Sequence, residues 1–280
     1  MSEDYTLQSL FEKLRQDSGV EIKVLRRMAA NVKGLSYEKI FLTADKLPVA
    51  LAEKQQIFHL LARYESGEPL SKILNSKFFW KHEFFVNQNV LDPRPETELI
   101  IEAALGRFSA LDTLNFLDLG TGSGCILLSL LGEFINSNGT GMDISPEAIE
   151  VALRNRRTLK IDRANFIVAD WNNFPDPTEK FDAIVSNPPY VRTCDIALLD
   201  ENVRKYDPKI ALDGGQDGLE AFVVLARISQ ELLTSGGLIF FEVGFGQAEK
   251  VADLLRRNSY NHITCLKDFN GIDRVVSAEK

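Results

Sequence analysis

Asn115-Phe116-Leu117-Asp118-Leu119-Gly120-Thr121-Gly122-Ser123-Gly124-Cys125, followed by Ile126-Leu127-Leu128-Ser129-Leu130-Leu131, reads as a strand, a glycine-rich turn and a helix. The apolar run before the glycines suits a buried strand. Gly120, Gly122 and Gly124, with Thr121 and Ser123 between them, let the backbone take positive φ and approach a ligand closely. The helix behind them offers free N–H groups at its start. A NAD-type G-x-G-x-x-G would place its third glycine at position 125, which is Cys125. The pattern is instead D-x-G-x-G-x-G, with Asp118 two residues before the first glycine. A carboxylate there repels a pyrophosphate but accepts hydrogen bonds from an α-ammonium group. That favours S-adenosylmethionine, which carries an ammonium and a cationic sulfonium.

Three further sites extend the reading. Asp143, followed by Ile144, ends a short strand-like stretch. An acid about 20 residues past the glycines bonds ribose hydroxyls in nucleotide-binding α/β folds. Ser145 can cap the next helix, which frees Asp143 for that role. The run Asn165-Phe166-Ile167-Val168-Ala169 ends in Asp170-Trp171, where the acid can accept from an adenine amine and the indole can pack on the base or in the core. Finally, Phe181-Asp182-Ala183-Ile184-Val185-Ser186 leads into Asn187-Pro188-Pro189-Tyr190. Neither proline has an N–H, and both stiffen the backbone. The segment is therefore short of donors and rich in acceptors. The Asn187 oxygen and the Pro188 carbonyl can hold the two hydrogens of a planar NH2 group, and the Tyr190 ring can cover its face. The bland alternative is a proline-rich turn closing a strand.

Composition narrows the class. The chain has 280 residues, 45% hydrophobic and 26% charged, with net charge −8. That is ordinary globular composition. The acidic balance argues against stable nucleic-acid binding, which needs clustered Lys and Arg. The one basic run, Arg154-Asn155-Arg156-Arg157, suits a helix C-terminus. Cys125, Cys194 and Cys265 form no C-x-x-C or metal-ligand pattern, so no metal is expected and reduced thiols in a cytoplasmic setting are. The acidic start Met1-Ser2-Glu3-Asp4 precedes no apolar segment of signal-peptide type, and no run approaches a membrane span.

Residues 1–73 read as a small helical domain: Leu7, Leu10, Phe11 and Leu14 recur at helical spacing, and further helices span about 21–32, 36–42 and 48–66. Gly34 is placed to end the second. Residues 74–92 read as a β-hairpin linker, with Phe78, Phe79, Trp80, Phe84 and Phe85 flanking a Lys81-His82-Glu83 turn. In Asp92-Pro93-Arg94-Pro95-Glu96-Thr97-Glu98 two prolines stiffen a loop. Thr97 or Glu96 can cap the next helix, or Arg94 and Thr97 can line the cofactor's way in. Residues 93–280 read as a second domain, the one that carries the candidate site. Strands at 114–119, 139–143, 165–169, 181–186, 237–242 and 272–277 alternate with helices at 124–134, 146–157, 217–233 and 246–257. This predicts an α/β fold with a mostly parallel sheet. Ligands bind beyond the carboxyl ends of such strands, and all four candidate sites fall there.

The glycine motif with Asp143 and Asn187-Pro188-Pro189-Tyr190 resembles class I, Rossmann-like S-adenosylmethionine methyltransferases acting on amino nitrogens. Glu68-Pro69-Leu70, Pro93-Arg94-Pro95-Glu96-Thr97-Glu98, Asn187-Pro188-Pro189-Tyr190-Val191 and Ala211-Leu212-Asp213-Gly214-Gly215 narrow the likeness to the HemK/PrmC family, protein-(glutamine-N5) methyltransferases of peptide chain release factors. Asp92 departs from the apolar residue common there. The resemblance implies a seven-stranded sheet and a helical domain that recognises the release factor. It also implies methyl transfer to the glutamine of a Gly-Gly-Gln loop, by a cytoplasmic enzyme acting as a monomer, without metal or membrane. Adenine-N6 DNA or rRNA methyltransferases and ribosomal-protein glutamine methyltransferases share the Asn187-Pro188-Pro189-Tyr190 chemistry. A catalytically idle cofactor-binding adaptor would show a degraded acceptor motif, and here it is intact. Gly214-Gly215-Gln216 in this chain reads as a turn before a helix, not as a substrate.

Overall fold

The structure, a computed structural model, describes residues 6–173 and 178–280. The acidic start at Met1–Asp4 lies outside the described residues. The chain divides into two compact units, Met1–Asn75 and Ser76–Lys280.

The first unit is helical: α1 (Leu7–Ser18), α2 (Ile22–Lys33), α3 (Tyr37–Thr43), α4 (Leu51–Glu65) and α5 (Leu70–Leu74). Thr6 caps α1 through its side chain, and Gly19 and Gly34 end α1 and α2 in the left-handed conformation. Leu7, Leu10, Phe11, Leu25, Met28, Ile40 and Ile57 are fully buried together, so the helical periodicity of α1 marks its core face.

The second unit opens with a hairpin, β1 (Ser76–Phe79) and β2 (His82–Phe85), then α6 (Glu98–Leu105). The hairpin turns at Trp80-Lys81, with Trp80 at φ 56, and His82 pairs with Phe79. His82 is thus a strand residue and not the turn residue expected. Then follow β3 (Asn115–Leu119), α7 (Cys125–Glu133), β4 (Asn138–Asp143), α8 (Pro146–Leu159), β5 (Ala164–Val168), β6 (Phe181–Ser186), α9 (Glu201–Tyr206), α10 (Glu220–Leu232), β7 (Leu233–Glu242), α11 (Ala248–Arg257), β8 (Asn261–Lys267) and β9 (Asp273–Glu279). The sheet has seven strands in the order β5-β4-β3-β6-β7-β9-β8. It is parallel except for β9, which runs antiparallel to β7 and β8. The expected mostly parallel class I sheet is present. The strand β8 and the short helical turns of residues 193–211 were not anticipated.

Alternate residues of each central strand enter opposite cores. Phe116, Val185, Phe240 and Val275 face α6, α7 and α8, whereas Leu117, Ile184, Phe241 and Val276 face α10 and α11. Burial on both faces is why these strands read as continuous apolar runs. The order reverses at β3, whose neighbours are β4 on one side and β6 on the other. Such a switch point opens a crevice at the carboxyl ends of the strands.

Candidate active site

Register decides which side chains meet in that crevice. Asp118 pairs with Val185, so Gly120 and Asn187, each two residues on, lie side by side past the strand ends. Leu119 pairs with Met142, which brings Asp143 beside Gly120. Asp143 pairs with Val168, and Asp170 follows two residues later. A cavity of about 370 Å³ occupies this edge, within the size range of small-molecule sites. Its wall includes Arg94, Thr97, Gly120, Thr121, Gly122, Ser123, Asp143, Ile144, Asp170, Trp171, Asn187 and Pro189.

The glycine loop is built to hold a ligand. Gly120 and Gly122 have φ of 77° and 54°, and a Cβ at Gly122 would meet nothing within 4 Å. The loop backbone therefore presents itself openly to the cavity. Gly120 and Thr121 donate their N–H groups to Met142 O, both at 2.9 Å. Gly122 donates to Asp143 Oδ2 at 2.9 Å, and Ser145 donates its N–H to Oδ1 at 3.0 Å. Ser145 does cap α8, accepting from Ala148 N at 3.1 Å. Asp143 is nonetheless not free as expected: each oxygen already holds a backbone N–H, while the residue lines the cavity. Burial raises its carboxyl above the ordinary range. Trp171 packs on the α10 side of the core and also lines the cavity.

Two expected contacts are corrected. Asp118 is fully buried and forms no part of the cavity wall. Its Oδ2 accepts from Thr121 Oγ1 at 2.6 Å, so it organises the glycine loop from outside the cavity lining. Burial pushes its carboxyl up to about 7, against the pull of the Thr121 bond. Thr97 does not cap α6 with its side chain. Its hydroxyl turns to the site, donating to Glu242 Oε2 at 2.5 Å and accepting from Asn187 Nδ2 at 3.0 Å. Arg94 lines the cavity and pairs with the buried Asp207 at 2.7 Å, while the Asp92 N–H reaches the same carboxylate. Gly124, Pro188 and Tyr190 flank the lining residues without lining the cavity themselves. Gly124 starts α7 at φ 77°, with Phe166 3.0 Å from where its Cβ would sit.

The residues also fit the cofactor's chemistry: an open glycine loop, a carboxylate at the ribose position and an aromatic ring beside the next acid. Known proteins agree. A methyltransferase-domain family is matched by residues 111–265. A release factor glutamine methyltransferase of Rhodospirillum rubrum is 41% identical, over 96% of this chain and 80% of that protein. One from Geobacter sulfurreducens is 37% identical, over 98% and 93%. The chain belongs to the release factor glutamine methyltransferase family. Among solved structures, a ribosomal protein L11 methylase from Lactobacillus delbrueckii subsp. bulgaricus is 19% identical, with TM-score 0.50 over 68% of this chain and 83% of that one, and shares the fold.

Sequence reasoning missed one residue of this methyltransferase site. Glu242 ends β7 at 1% exposure, and Ser186 pairs with Phe241, which sets Glu242 beside Asn187. Tyr190 donates its hydroxyl to Glu242 Oε1 at 3.3 Å. Burial pushes the Glu242 carboxyl up to about 7, and the bonds from Thr97 and Tyr190 oppose that rise. The signal was present: an acid closing the apolar run Leu238-Ile239-Phe240-Phe241 on the same edge as the other sites. Below the motif, Gly214 N donates to Val191 O and Val191 N to Leu212 O. A Cβ at Gly214 would fall 2.7 Å from Tyr190 Cα, so glycine is needed there for packing. Gly214-Gly215-Gln216 is a brace for Asn187-Pro188-Pro189-Tyr190.

Proposed function

We propose that this chain transfers a methyl group from S-adenosylmethionine to the side-chain N5 of the glutamine in the Gly-Gly-Gln loop of a peptide chain release factor. The observation that carries this reading is the orientation of Asn187, whose amide nitrogen is bound to Thr97 beside the cofactor-type cavity. That leaves Oδ1 as an acceptor for an incoming NH2 group.

S-adenosylmethionine supplies an electrophilic methyl carbon on a sulfonium. The protein's task is alignment. An amide nitrogen is a poor nucleophile because its lone pair is delocalised into the carbonyl. Asn187 Oδ1 and the Pro188 carbonyl accept hydrogen bonds from the two amide N–H groups and hold the nitrogen in line. Once that nitrogen has bonded the methyl carbon, with the C–S electron pair left on sulfur, it gives up one of those protons to water. Such alignment is worth roughly 7–11 kcal/mol of barrier in favourable cases. Tyr190, half-buried and tied to Glu242, gives the planar group a fixed ring to pack against. Gly120 to Gly124, Asp143, Ile144, Asp170, Trp171, Arg94 and Thr97 form the cofactor set, with Asp118 and Gly124 supporting the loop from behind. The helical domain recognises the folded release factor, and the enzyme acts as a monomer. The exposed free thiols of Cys194 and Cys265 suit a reducing cytoplasm.

A nucleic-acid substrate is less well served. Within the basic run, Arg154 lies 3.4 Å over the Phe85 ring and Arg156 pairs with Asp162. The deciding assay is methyl transfer from labelled S-adenosylmethionine to purified release factor, a Gln→Ala variant of its Gly-Gly-Gln loop, DNA and rRNA. Label on the wild-type factor alone is expected. Label on nucleic acid, or on the Gln→Ala factor, overturns the substrate assignment.

A further inference from the structure

Glu242 does not line the cavity itself, yet its carboxylate holds the wall residue Thr97 and so begins a chain of hydrogen bonds that reaches Asn187. A carboxylate only accepts. Thr97 therefore gives its single hydroxyl proton to Oε2, and can offer Asn187 nothing but lone pairs. The atom of Asn187 that meets Thr97 at 3.0 Å must then be the NH2 nitrogen. Its carbonyl oxygen is left pointing away from Thr97. Tyr190 holds the second carboxylate oxygen, so neither oxygen is idle.

We propose that Glu242 is a positioning residue that fixes the donor–acceptor polarity of Asn187, keeping Oδ1 turned toward the acceptor nitrogen. The inference rests on the function proposed above. Without the carboxylate, Thr97 can donate to Asn187 Oδ1 instead, and the amide turns over. Its NH2 would then confront the substrate's own NH2, donor against donor, and alignment would fail. Thr97 and Glu242 thus read out the difference between an amide oxygen and an amide nitrogen that are almost the same size.

The lock depends on the ionised form, since a protonated Glu242 becomes a donor as well. The groups facing it are Tyr190 beyond β6, Glu96 before α6, Arg274 on β9 and Cys125 at the start of α7. Glu96 favours protonation and Arg274 opposes it, while burial dominates both. Turnover is therefore expected to carry an acidic limb that belongs to Glu242.

The test uses the full-length enzyme and its Glu242→Gln, Thr97→Val and Thr97→Ser variants. The first readout needs no substrate: the NMR signal of the Asn187 side-chain NH2, assigned by its loss in Asn187→Ala. The wild-type signal is expected to exchange slowly with water, to become fast in Glu242→Gln and Thr97→Val, and to recover in Thr97→Ser. The second is steady-state methylation of purified release factor across pH. In Glu242→Gln, kcat should fall about 30-fold or more, KM for S-adenosylmethionine should stay within about 3-fold, and the acidic limb should vanish. Slow exchange together with a wild-type kcat profile in Glu242→Gln overturns the proposal. If that variant does not fold, Thr97→Val matching wild type in both readouts does so equally. Should the wild-type enzyme label something other than release factor, the substrate reading fails while the NMR comparison still decides the lock.

Discussion

At Asn187 the identity of one exposed atom, oxygen or nitrogen, separates an acceptor for an NH2 group from a competitor of it. Truncating Asn187 to Ala removes that atom but leaves the glycine loop and Asp143 intact. Turnover should fall roughly 100- to 1000-fold, as when one aligned polar contact to a reacting group is lost. Cofactor affinity, measured by calorimetry, should change only a few-fold, and a parallel collapse of both would show that Asn187 acts mainly in cofactor binding. A second expectation concerns Asp118 and Glu242, both pushed up to about 7 from ordinary values of 3.8 and 4.5. Each folded-state value lies above the unfolded one, so the folded protein holds more protons across that interval. Their contribution to stability is full below the ordinary range and is lost as pH rises through 7. Melting temperature should drop between pH 5 and pH 8, and Asp118→Asn should flatten the drop. The same titration of Glu242 should raise turnover while stability declines. Asn187 and the loop glycines are legible because each follows an apolar run, and Asp143 because of its spacing past the glycines. The burial of Asp118 outside the cavity lining is not legible, because sequence spacing cannot say which side of a loop a carboxylate faces. Thr97 looked like a helix cap because the acceptors that claim its hydroxyl lie 90 and 145 residues away.

Among the elements, α8 joins parts of the second unit that sequence alone keeps separate. Asn155, 1% exposed, accepts from Phe85 N at 2.7 Å and donates to Phe85 O and Ser123 O at 3.0 and 2.9 Å. One side chain thus pins β2 and the glycine loop to the same helix. Asn155→Leu leaves three backbone groups without these bonds, and should cost about 2–3 kcal/mol in urea unfolding. A loss below about 0.5 kcal/mol would mean that water replaces the clamp. The strands β3, β5, β6 and β7 are readable from their largely apolar stretches, and β4, Asn138-Gly139-Thr140-Gly141-Met142-Asp143, from its place in the alternation. The strand β8 was not, because it is an edge strand whose residues are largely exposed, so neither face imposes a pattern. The short helical turns of residues 193–211 escaped notice for a related reason: no residue within those turns is buried.

For the whole molecule, the division at Asn75 and Ser76 separates two cores that share no buried cluster among the described residues. A chain beginning at Ser76 should therefore still bind S-adenosylmethionine with a Kd within a few-fold of the full-length value. It should lose methylation of folded release factor, and undiminished methylation would remove the recognition role given to the helices. The fold class and the sheet edge that carries the site could be read from the alternation of strands and helices, whereas the partner of each polar side chain could not, because pairing across the sheet is set by register. Within the second unit, two walls of the cavity are strutted together: Ser186 Oγ donates to Leu119 O at 2.6 Å, joining β6 to β3 beneath the site. The wall formed by Pro208, Ile210 and Ala211 comes from short helical turns outside the sheet and is held at its start by Asp207, which pairs with Arg94 and accepts from the Asp92 N–H. In hydrogen-exchange experiments the amides of residues 193–211 should therefore lose their label far sooner than those of β3 and β6, and the time a spent cofactor stays bound should follow the opening of that wall.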